Sequence, residues 1–351
     1  MVTAIFDLSP PTSPPKHSGM KPNSPALLLF SFLLAMAAPV SGQQPAPNPG
    51  QAPAPQAAGR RPAQTFSGDM ALSQVLIEGE DWQLVAEGYQ FTDATSSDAE
   101  GNFYFTDVAR GSTIQKITPE GKVSAFLENT PKISGLKFGP DGRLYACTQG
   151  PKKQIVAFET PSGKMTVLAD DVQPNDLVVT HKGFIYFTET GKKQITVIDP
   201  QGRLRPVDVG ISKPNGIALS PDQGTLAVSD YGGSNAWVFR IEADGSLSAK
   251  ERYMELRTPP GKADSLGDGM TVDSVGRYYV TSAVGIQMFD PTGRLGGVIA
   301  KPQNKGLVSV AFAGPNLHYL YVACTDKIYR RKTQTTGVLS FQTPFPSGLR
   351  R

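Results

Sequence analysis

Six small side chains that carry oxygen recur at nearly constant spacing along the chain. Asp93, Ser134 and Asn175 follow one another at intervals of 41 residues. Carboxylate and carboxamide oxygens are the donors that Ca²⁺ prefers in proteins. Two carboxylates would neutralise a divalent cation, and two carboxamides would fill its coordination shell without adding charge. The full series is Asp93, Ser134, Asn175, Asn215, Asp268 and Ser309.

This series predicts a metal site whose ligands are all oxygen atoms, provided that the fold brings the residues together. Ca²⁺ is the first candidate, with Zn²⁺, Mn²⁺ and Mg²⁺ as alternatives. The roles of Ser134 and Ser309 in such a ring stay open. A polar ring that binds only water is the alternative to a metal site.

The elements that must position these residues form an internal repeat. Six segments each place a turn residue before a short β-rich run, as in residues 101–107 and 183–189, and the first four turn glycines are 41 residues apart. Periods of about 40 to 45 residues with several short strands are typical of propeller blades. No part of the repeat has helical periodicity, which argues against a βαβ fold. The sequence therefore predicts an all-β, six-bladed β-propeller over residues 67–351.

In a propeller, the innermost strand of each blade lines the central channel. Each residue of the series opens the inner strand of one blade, so the six residues should meet at one end of the channel. Closure requires the two ends of the domain to share a blade. We expect Gln83–Glu87 and Gly337–Phe341 to form that join.

The first 66 residues have a different composition. Two lysines precede the apolar run of residues 26–38, and small residues follow it, which is typical of a secretory signal peptide. Residues 1–42 are therefore predicted as a leader, with Met1 or Met20 as the start. Residues 43–66 are rich in Pro, Ala and Gln and are predicted as a flexible linker. We expect an exported protein, periplasmic or secreted, without stable membrane insertion after leader cleavage.

Charge and composition exclude several classes of function. The net charge of +3 gives no strong field, so nucleic acid is not an expected partner. Two cysteines rule out a disulfide-dense scaffold and a Cys₄ zinc site, and three histidines leave little for catalysis by His. The nucleophile motif Gly-x-Ser-x-Gly is absent from the sequence.

Three phrases resemble the gluconolactonase/regucalcin (SMP-30) family. They are Pro174-Asn175-Asp176-Leu177, Pro214-Asn215-Gly216-Ile217 with its continuation to Asp222, and Asp268-Gly269-Met270-Thr271-Val272-Asp273. They stand in the family's order, and the likeness runs from about Leu84 to Arg330. The resemblance implies a six-bladed propeller with one divalent metal, held by a Glu of the first blade, two Asn and an Asp. Carried over, these ligands are Asn175, Asn215 and Asp268.

The first-blade ligand departs from the family pattern. The family has Glu-Gly-Pro there, whereas the repeat spacing aligns Asp93 with the ligand position. Glu87-Gly88 looks more like the motif but lies six residues too early to open the inner strand. We therefore expect Asp93 as the fourth metal ligand.

The resemblance also implies the chemistry, which is hydrolysis of a sugar lactone. The metal would polarise the carbonyl, Asp268 would act as general base on water, and Asn175 would also orient the substrate. The expected partner is thus a small-molecule lactone. Two alternatives stay open: another metal-dependent hydrolase on the same site, such as an arylesterase or phosphotriesterase, and a non-catalytic propeller that binds a ligand.

The longest departure from the repeat precedes Asp268. Residues 255–266 lengthen the period by some ten residues and predict either a loop over the channel mouth or an ordinary surface loop. Tyr231, Lys213 and Gln173 flank the predicted ring and are candidates to line the pocket.

Overall fold

The computed structural model describes residues 71–344, and the predicted leader and linker, residues 1–42 and 43–66, lie outside this part of the chain. The described residues form six four-stranded antiparallel sheets, each of which is one blade. Consecutive strands of a blade are neighbours in the sheet, with the first strand innermost. The prediction of an all-β, six-bladed propeller is confirmed.

The strands are given blade by blade from the inner strand outwards. Blade 1 contains β2 (Thr92–Ser97), β3 (Phe103–Asp107), β4 (Ser112–Ile117) and β5 (Val123–Thr130). Blade 2 contains β6 (Lys132–Phe138), β7 (Leu144–Gln149), β8 (Ile155–Phe158) and β9 (Met165–Ala169). Blade 3 contains β10 (Leu177–Val179), β11 (Ile185–Glu189), β12 (Gln194–Ile198) and β13 (Leu204–Val209). Blade 4 contains β14 (Pro214–Leu219), β15 (Thr225–Asp230), β16 (Asn235–Ile241) and β17 (Leu247–Glu255).

Blade 5 contains β18 (Met270–Val272), β19 (Tyr278–Ser282), β20 (Gly285–Phe289) and β21 (Leu295–Ile299). Blade 6 contains β22 (Ser309–Ala313), β23 (Tyr319–Cys324), β24 (Lys327–Lys332) and, outermost, β1 (Gln83–Glu87). In the described part of the chain, three short 3₁₀ helices cover Ala71–Gln74, Thr190–Lys192 and Pro315–Leu317. Within residues 71–344, no helix is both long enough and apolar enough to span a bilayer.

The ring is closed by β1, which comes from the N-terminal side of the domain. It pairs antiparallel with β24, with Gln83 opposite Arg330 and Glu87 opposite Lys327. The expectation for Gln83–Glu87 is therefore correct, but the expected partner, Gly337–Phe341, is wrong. Strand β24 ends at Lys332 and has β23 on one side and β1 on the other, so this sheet has no place beside β24 for the residues that follow.

The segment after β24 instead crosses the far end of the channel. Gly337 forms an isolated antiparallel bridge with Asp273, and the Gln223 side chain donates a hydrogen bond of 2.6 Å to the Ser340 carbonyl. Leu339 is 5% exposed, and the Phe341 ring packs edge-on against Phe138. This segment and the inner strands enclose a cavity of about 70 Å³. The channel is therefore obstructed at the end opposite the predicted ring.

The hydrophobic core is divided into wedges between neighbouring blades. In one wedge, Cys147 and Ile155 of blade 2 pack against Leu177 and Phe187 of blade 3. Cys147 and Cys324 are both fully buried free thiols, and they fill the core as small apolar residues do. Because every blade is buried on both faces, the strands are mostly apolar, and a polar residue in an inner strand has few places to point except the channel.

Candidate active site at one end of the channel

The six predicted ring residues lie at equivalent places in the six blades. Asp93, Ser134, Asn215 and Ser309 lie at or near the start of inner strands, whereas Asn175 and Asp268 lie two residues before β10 and β18. The two aspartates and two asparagines are only partly buried. The fold thus places all six at the same end of the channel, opposite the C-terminal segment.

Glycines allow the inner strands to approach one another closely at this level. A Cβ atom on Gly135 would come 3.0 Å from Asp176 Cα, and one on Gly269 would come 2.7 Å from Ser309 Cα. A Cβ atom on Gly216 would likewise lie 2.7 Å from Gly269 Cα. Real Cβ atoms do not approach other atoms so closely, so each glycine permits its strand to contact the next one. The narrow channel depends on these residues.

Hydroxyl groups fasten the backbone of the ring from one blade to the next. Ser134 Oγ donates to the Asn175 carbonyl at 2.7 Å, and Thr188 Oγ1 donates to the Asn215 carbonyl at 2.7 Å. Ser229 Oγ donates to the Asp268 carbonyl at 2.8 Å. Each of these bonds starts in one blade and ends at a ring residue of the following blade. Three of the four predicted metal ligands are thereby held through their main chain.

The two serines of the ring have supporting contacts. Ser134 Oγ also accepts a hydrogen bond of 2.8 Å from Gln149 Nε2. Ser309 Oγ shares a bond of 2.8 Å with Thr95 Oγ1 of blade 1. Both hydroxyls therefore form hydrogen bonds with atoms of a neighbouring blade.

The acidic ring residues are electrostatically coupled. Burial raises the pKa of Asp93 from 3.8 to about 8, with a further contribution from the charge of Asp176, while the Ala94 N–H and Lys137 oppose the shift. Burial and the negative charges of Asp93 and Asp176 hold the pKa of Asp268 well above its ordinary value. The Gly269 N–H and the Asn215 side chain hydrogen-bond to Asp268 and oppose this effect. Carboxylates from blades 1 and 5 thus face each other across the channel.

Two further channel residues, Asp176 and Lys137, are not among the site residues that the sequence predicts. Asp176 is 8% exposed, and burial raises the pKa of its carboxyl, an effect that the charge of Lys137 opposes. Lys137 Nζ donates a hydrogen bond of 2.8 Å to the Thr95 carbonyl. Asp176 follows Asn175 directly, so its acidity beside a ring position was a signal that could have been used. Lys137 lies between the apolar residues Leu136 and Phe138 of its inner strand, and only the fold shows that its charge reaches the carboxylates.

Acidic side chains at the ends of second strands stabilise the loops that lead into the ring. Asp107 accepts hydrogen bonds from the Gln90 and Phe91 N–H groups at 2.8 and 3.0 Å. Glu189 accepts from Gln173 N at 2.8 Å, and Asp230 accepts from Lys213 N at 2.9 Å. The recurrent Thr-Asp, Thr-Glu and Ser-Asp pairs therefore have a structural role: the hydroxyl binds the next blade and the carboxylate binds the loop of its own blade.

Tyr231 and Lys213 lie beside the ring. Burial and the charge of Asp268 raise the pKa of Tyr231, which places its hydroxyl within the field of that carboxylate. Tyr231 N donates to the Lys213 carbonyl at 2.9 Å. Gln173 is exposed at the corresponding position of blade 3.

The insertion before Asp268 is anchored at the same end of the channel. Leu256 N donates to the Ser234 carbonyl at 2.7 Å, and Ser265 N donates to the Gly233 carbonyl at 2.9 Å. Ser265 is fully buried, whereas the residues at the tip, 260–264, are exposed. The insertion is therefore a projecting loop with a fixed base.

Glu87 and the histidines lie away from the ring. Glu87 is on the outermost strand β1, where its carboxylate pairs with Lys327 Nζ at 2.5 Å. His181 is exposed in the turn between β10 and β11, at the far end of the channel, and His318 precedes β23 at that same end. None of the three contributes to the ring.

The donor chemistry of the ring fits a divalent cation. The charges of Asp93 and Asp268 repel each other in a confined space, and positive charge placed between them would favour the ionised state of both carboxyls. The oxygens of Asn175 and Asn215 supply neutral donors. Within residues 71–344, no group of three or more His, Cys, Asp or Glu side chains is arranged to hold a metal. A cation at this end would therefore depend on the carboxamides as well as the two carboxylates.

Comparison with known proteins identifies the same family as the three sequence segments that begin at Pro174, Pro214 and Asp268. Residues 91–326 match the family described as the SMP-30/Gluconolactonase/LRE-like region. The chain belongs to this family. The match covers β2 to β23 with all six ring residues, so the family assignment applies to the part of the chain that forms the channel.

Individual members and structural neighbours of the SMP-30/gluconolactonase family are similar over most of the domain. The gluconolactonase of Zymomonas mobilis is 27% identical over 294 residues, which cover 73% of this chain and 82% of that protein. A gluconolactonase from Xanthomonas campestris superposes with a TM-score of 0.66 at 23% identity, covering 78% of this chain and 95% of its own. The calcium-binding protein regucalcin from Agrobacterium tumefaciens superposes with a TM-score of 0.61 at 16% identity, covering 74% and 96%. The two structural likenesses concern the fold.

Proposed function

We propose that the protein hydrolyses the lactones of sugar acids, and that the ring of Asp93, Asn175, Asn215 and Asp268 is its active site. The observation that carries the proposal is the position of Asp268. Its buried carboxyl lies two residues before the inner strand of blade 5, accepts a hydrogen bond from Asn215 and interacts with Asp93 at the end of the channel opposite the C-terminal segment. Membership of the SMP-30/gluconolactonase family and the similarity to the Zymomonas gluconolactonase support the same reaction.

A divalent cation, Ca²⁺ as first candidate, would be held by Asp93, Asn175, Asn215 and Asp268. When bound, it would supply Lewis acidity towards the ester carbonyl oxygen. The structural neighbour described as a calcium-binding protein supports this choice of metal. Because Asn175 and Asn215 carry no charge, the four side chains together match the charge of one such ion.

The chain's own residues perform the proton transfers. Asp268 takes a proton from the attacking water as its oxygen forms a bond to the carbonyl carbon. The ring C–O bond of the lactone then breaks, and the proton passes to the leaving alkoxide, which gives the open hydroxy acid. Asn175 orients a hydroxyl or carbonyl oxygen of the substrate. The hydrogen bond from Ser229 to the Asp268 carbonyl keeps the general base in position.

The full chain, assayed with and without Ca²⁺ or chelator, tests this proposal. We expect hydrolysis of D-gluconolactone, loss of activity in chelator, and a fall of at least about 100-fold in kcat for Asp268→Asn. Asp244→Asn is the matched control, because Asp244 lies in an exposed turn at the far end of blade 4. Full lactonase activity of Asp268→Asn would overturn the mechanism. Turnover of an aryl ester or a phosphotriester, but of no lactone, would assign the site to another hydrolase.

A propeller that only binds a ligand would hydrolyse none of these substrates. Export of the chain stays a prediction from residues 1–42, which lie outside the described residues.

A further inference from the structure

A second set of residues lies at the mouth end of the six blades, next to the ring along the chain. Each member stands two residues before a ring residue. All of them are exposed except Leu307, which is buried. We call this set the mouth ring, and its members are Phe91, Lys132, Gln173, Lys213, Leu266 and Leu307.

The mouth ring has an apolar half and a basic, polar half. Blades 5, 6 and 1 contribute Leu266, Leu307 and Phe91, and two of these large apolar side chains are more than a third exposed, at 37% for Leu266 and 41% for Phe91. Blades 2, 3 and 4 contribute Lys132, Gln173 and Lys213. A bound molecule would therefore meet apolar surface on the side of Asp93 and Asp268, and positive charge on the side of Asn175 and Asn215.

Lys213 is held in place at this site but keeps its charge available. Its N–H donates to Asp230 Oδ1 at 2.9 Å, and its carbonyl accepts from Tyr231 N at 2.9 Å. The stem lies against Gly232, because a Cβ atom there would come 2.9 Å from Lys213 Cδ. Tyr231, next to this glycine, lies within the field of Asp268. Among the described residues, no carboxylate forms a salt bridge with Lys213, so its ammonium group is free to bind an anion.

Lys132 is the second cation of the basic half. Its ammonium group donates to the Ala109 carbonyl at 2.9 Å, and no salt bridge joins it to a carboxylate within residues 71–344. Its stem lies against Gly111, where a Cβ atom would come 2.6 Å from Lys132 Cγ. A lysine bound only to a neutral carbonyl retains its full positive charge and two further N–H donors.

Several other basic residues at the mouth end are paired with carboxylates. Arg110 pairs with Asp107, Lys192 with Glu189 and Lys305 with Asp326. Lys213 and Lys132 differ from them, because neither forms a salt bridge with a carboxylate of the described residues. Their charges are therefore the ones that stay available to a bound anion.

We propose that the substrate is a lactone bearing an anionic group, a carboxylate or a phosphate, which Lys213 binds while the ester carbonyl lies over Asp268. The inference rests on the proposed lactonase function and narrows its substrate class. An ammonium group that binds an anion forms a charge-assisted hydrogen bond, which is stronger than a bond between neutral groups. The apolar half of the mouth ring would contact the uncharged part of the same molecule.

The experiment compares three lactones that differ in charge. They are D-glucono-1,4-lactone, which is neutral, D-glucaro-1,4-lactone, which carries a carboxylate, and gluconolactone 6-phosphate. We expect kcat/KM to be at least about tenfold higher for one or both anionic lactones than for the neutral one, and to fall as salt is raised. The values of kcat/KM for the two anionic lactones show whether the site prefers a carboxylate or a phosphate.

Variants at Lys213 connect the preference to the mouth ring. Lys213→Gln should lower kcat/KM for the preferred anionic lactone about tenfold more than it lowers kcat/KM for the neutral lactone. Lys213→Arg keeps the positive charge and should retain most of the preference. Lys182→Gln is the control, since Lys182 is exposed in a turn at the far end of blade 3 and should change neither rate.

A binding measurement separates this inference from the proposed function. Calorimetry with the open diacid D-glucarate should show weaker binding to Lys213→Gln than to the unaltered chain, whether or not any lactone is hydrolysed. Equal or better turnover of the neutral lactone, with D-glucarate binding unaffected by Lys213→Gln, would overturn the inference and leave the lactonase assignment intact. Hydrolysis of none of the three lactones would overturn the proposed function, and D-glucarate binding would then still decide the role of Lys213.

Discussion

The Ser229 hydroxyl donates a hydrogen bond of 2.8 Å to the backbone carbonyl of Asp268. Ser229 lies at the penultimate position of β15 in blade 4, whereas Asp268 precedes β18 in blade 5. The bond therefore joins two blades at the level of the ring and fixes the main chain of the proposed general base. Thr188 and Asn215 repeat the arrangement one blade earlier.

Replacing Ser229 with alanine should reduce both stability and turnover. Loss of a buried hydrogen bond costs about 1 kcal/mol, and the Asp268 carbonyl would also lose a partner. We expect a lower free energy of unfolding and a several-fold lower kcat, with little change in KM, measured by denaturant titration and lactonase assay. Ser229→Thr should restore most of the activity because it keeps the hydroxyl.

The control for Ser229 is Ser246→Ala in the same blade. Ser246 Oγ donates to Asp244 in a turn at the far end. If Ser246→Ala lowered kcat as much as Ser229→Ala, the bond between blades would have no special role in catalysis.

The metal-free protein should lose stability as the pH rises. The folded-state pKa of Asp93 is raised from 3.8 to about 8, mainly by burial, so the folded protein retains a proton that the unfolded chain has lost. The contribution of this group is complete below about pH 4 and disappears as the pH rises towards 8. In chelator, Asp93→Asn should flatten this pH dependence and make the protein more stable than the unaltered chain at pH 8, by on the order of a few kcal/mol. Thermal unfolding between pH 5 and pH 8 measures both effects.

Addition of Ca²⁺ should reverse the effect of pH. The cation favours the ionised forms of Asp93 and Asp268. The increase in the protein's melting temperature that Ca²⁺ causes should therefore be larger at pH 8 than at pH 5. Asp93→Asn should lose most of this increase, while Glu87→Gln should keep it, since Glu87 pairs with Lys327 on the outermost strand. Loss of the increase in Glu87→Gln alone would identify Glu87 as the ligand and exclude Asp93.

Leu339 should contribute to stability from the far end of the channel. It is 5% exposed and lies in the segment that encloses the cavity beneath the inner strands. Leu339→Ala should lower the free energy of unfolding by about 2–4 kcal/mol and leave kcat close to its original value. Leu84→Ala is matched in chemistry, but Leu84 is 47% exposed, so its effect should be much smaller. Equal effects of the two variants would show that the segment does not pack stably against the channel.

The repeat determined most of the fold because a blade is a local unit. Its four strands are consecutive in the chain, and each turn glycine is close in sequence to the strands that it joins. A constant period therefore places Asp93, Asn175, Asn215 and Asp268 at equivalent points without any knowledge of long-range contacts.

The strand pairing that closes the propeller is a long-range contact, which the sequence repeat does not specify. β1 pairs with β24, some 240 residues away, and not with Gly337–Phe341. Both segments are short and have apolar residues, so either one could complete a sheet on sequence grounds. In the structure β24 pairs with β23 on one edge and with β1 on the other, which leaves no edge of β24 for a strand after Lys332.

The sequence by itself determined the six blades and the ring positions, because both follow from a period that short-range turns and strands impose. Only the tertiary structure decided what surrounds the ring. It brings Asp176 and the charge of Lys137 towards Asp93, fastens Asp268 to Ser229 of the preceding blade, and places Lys213 and Phe91 in different halves of the mouth. These relationships join residues that are 39 or more apart in the chain, and burial and electrostatic coupling depend on distances in space that no spacing along the sequence specifies.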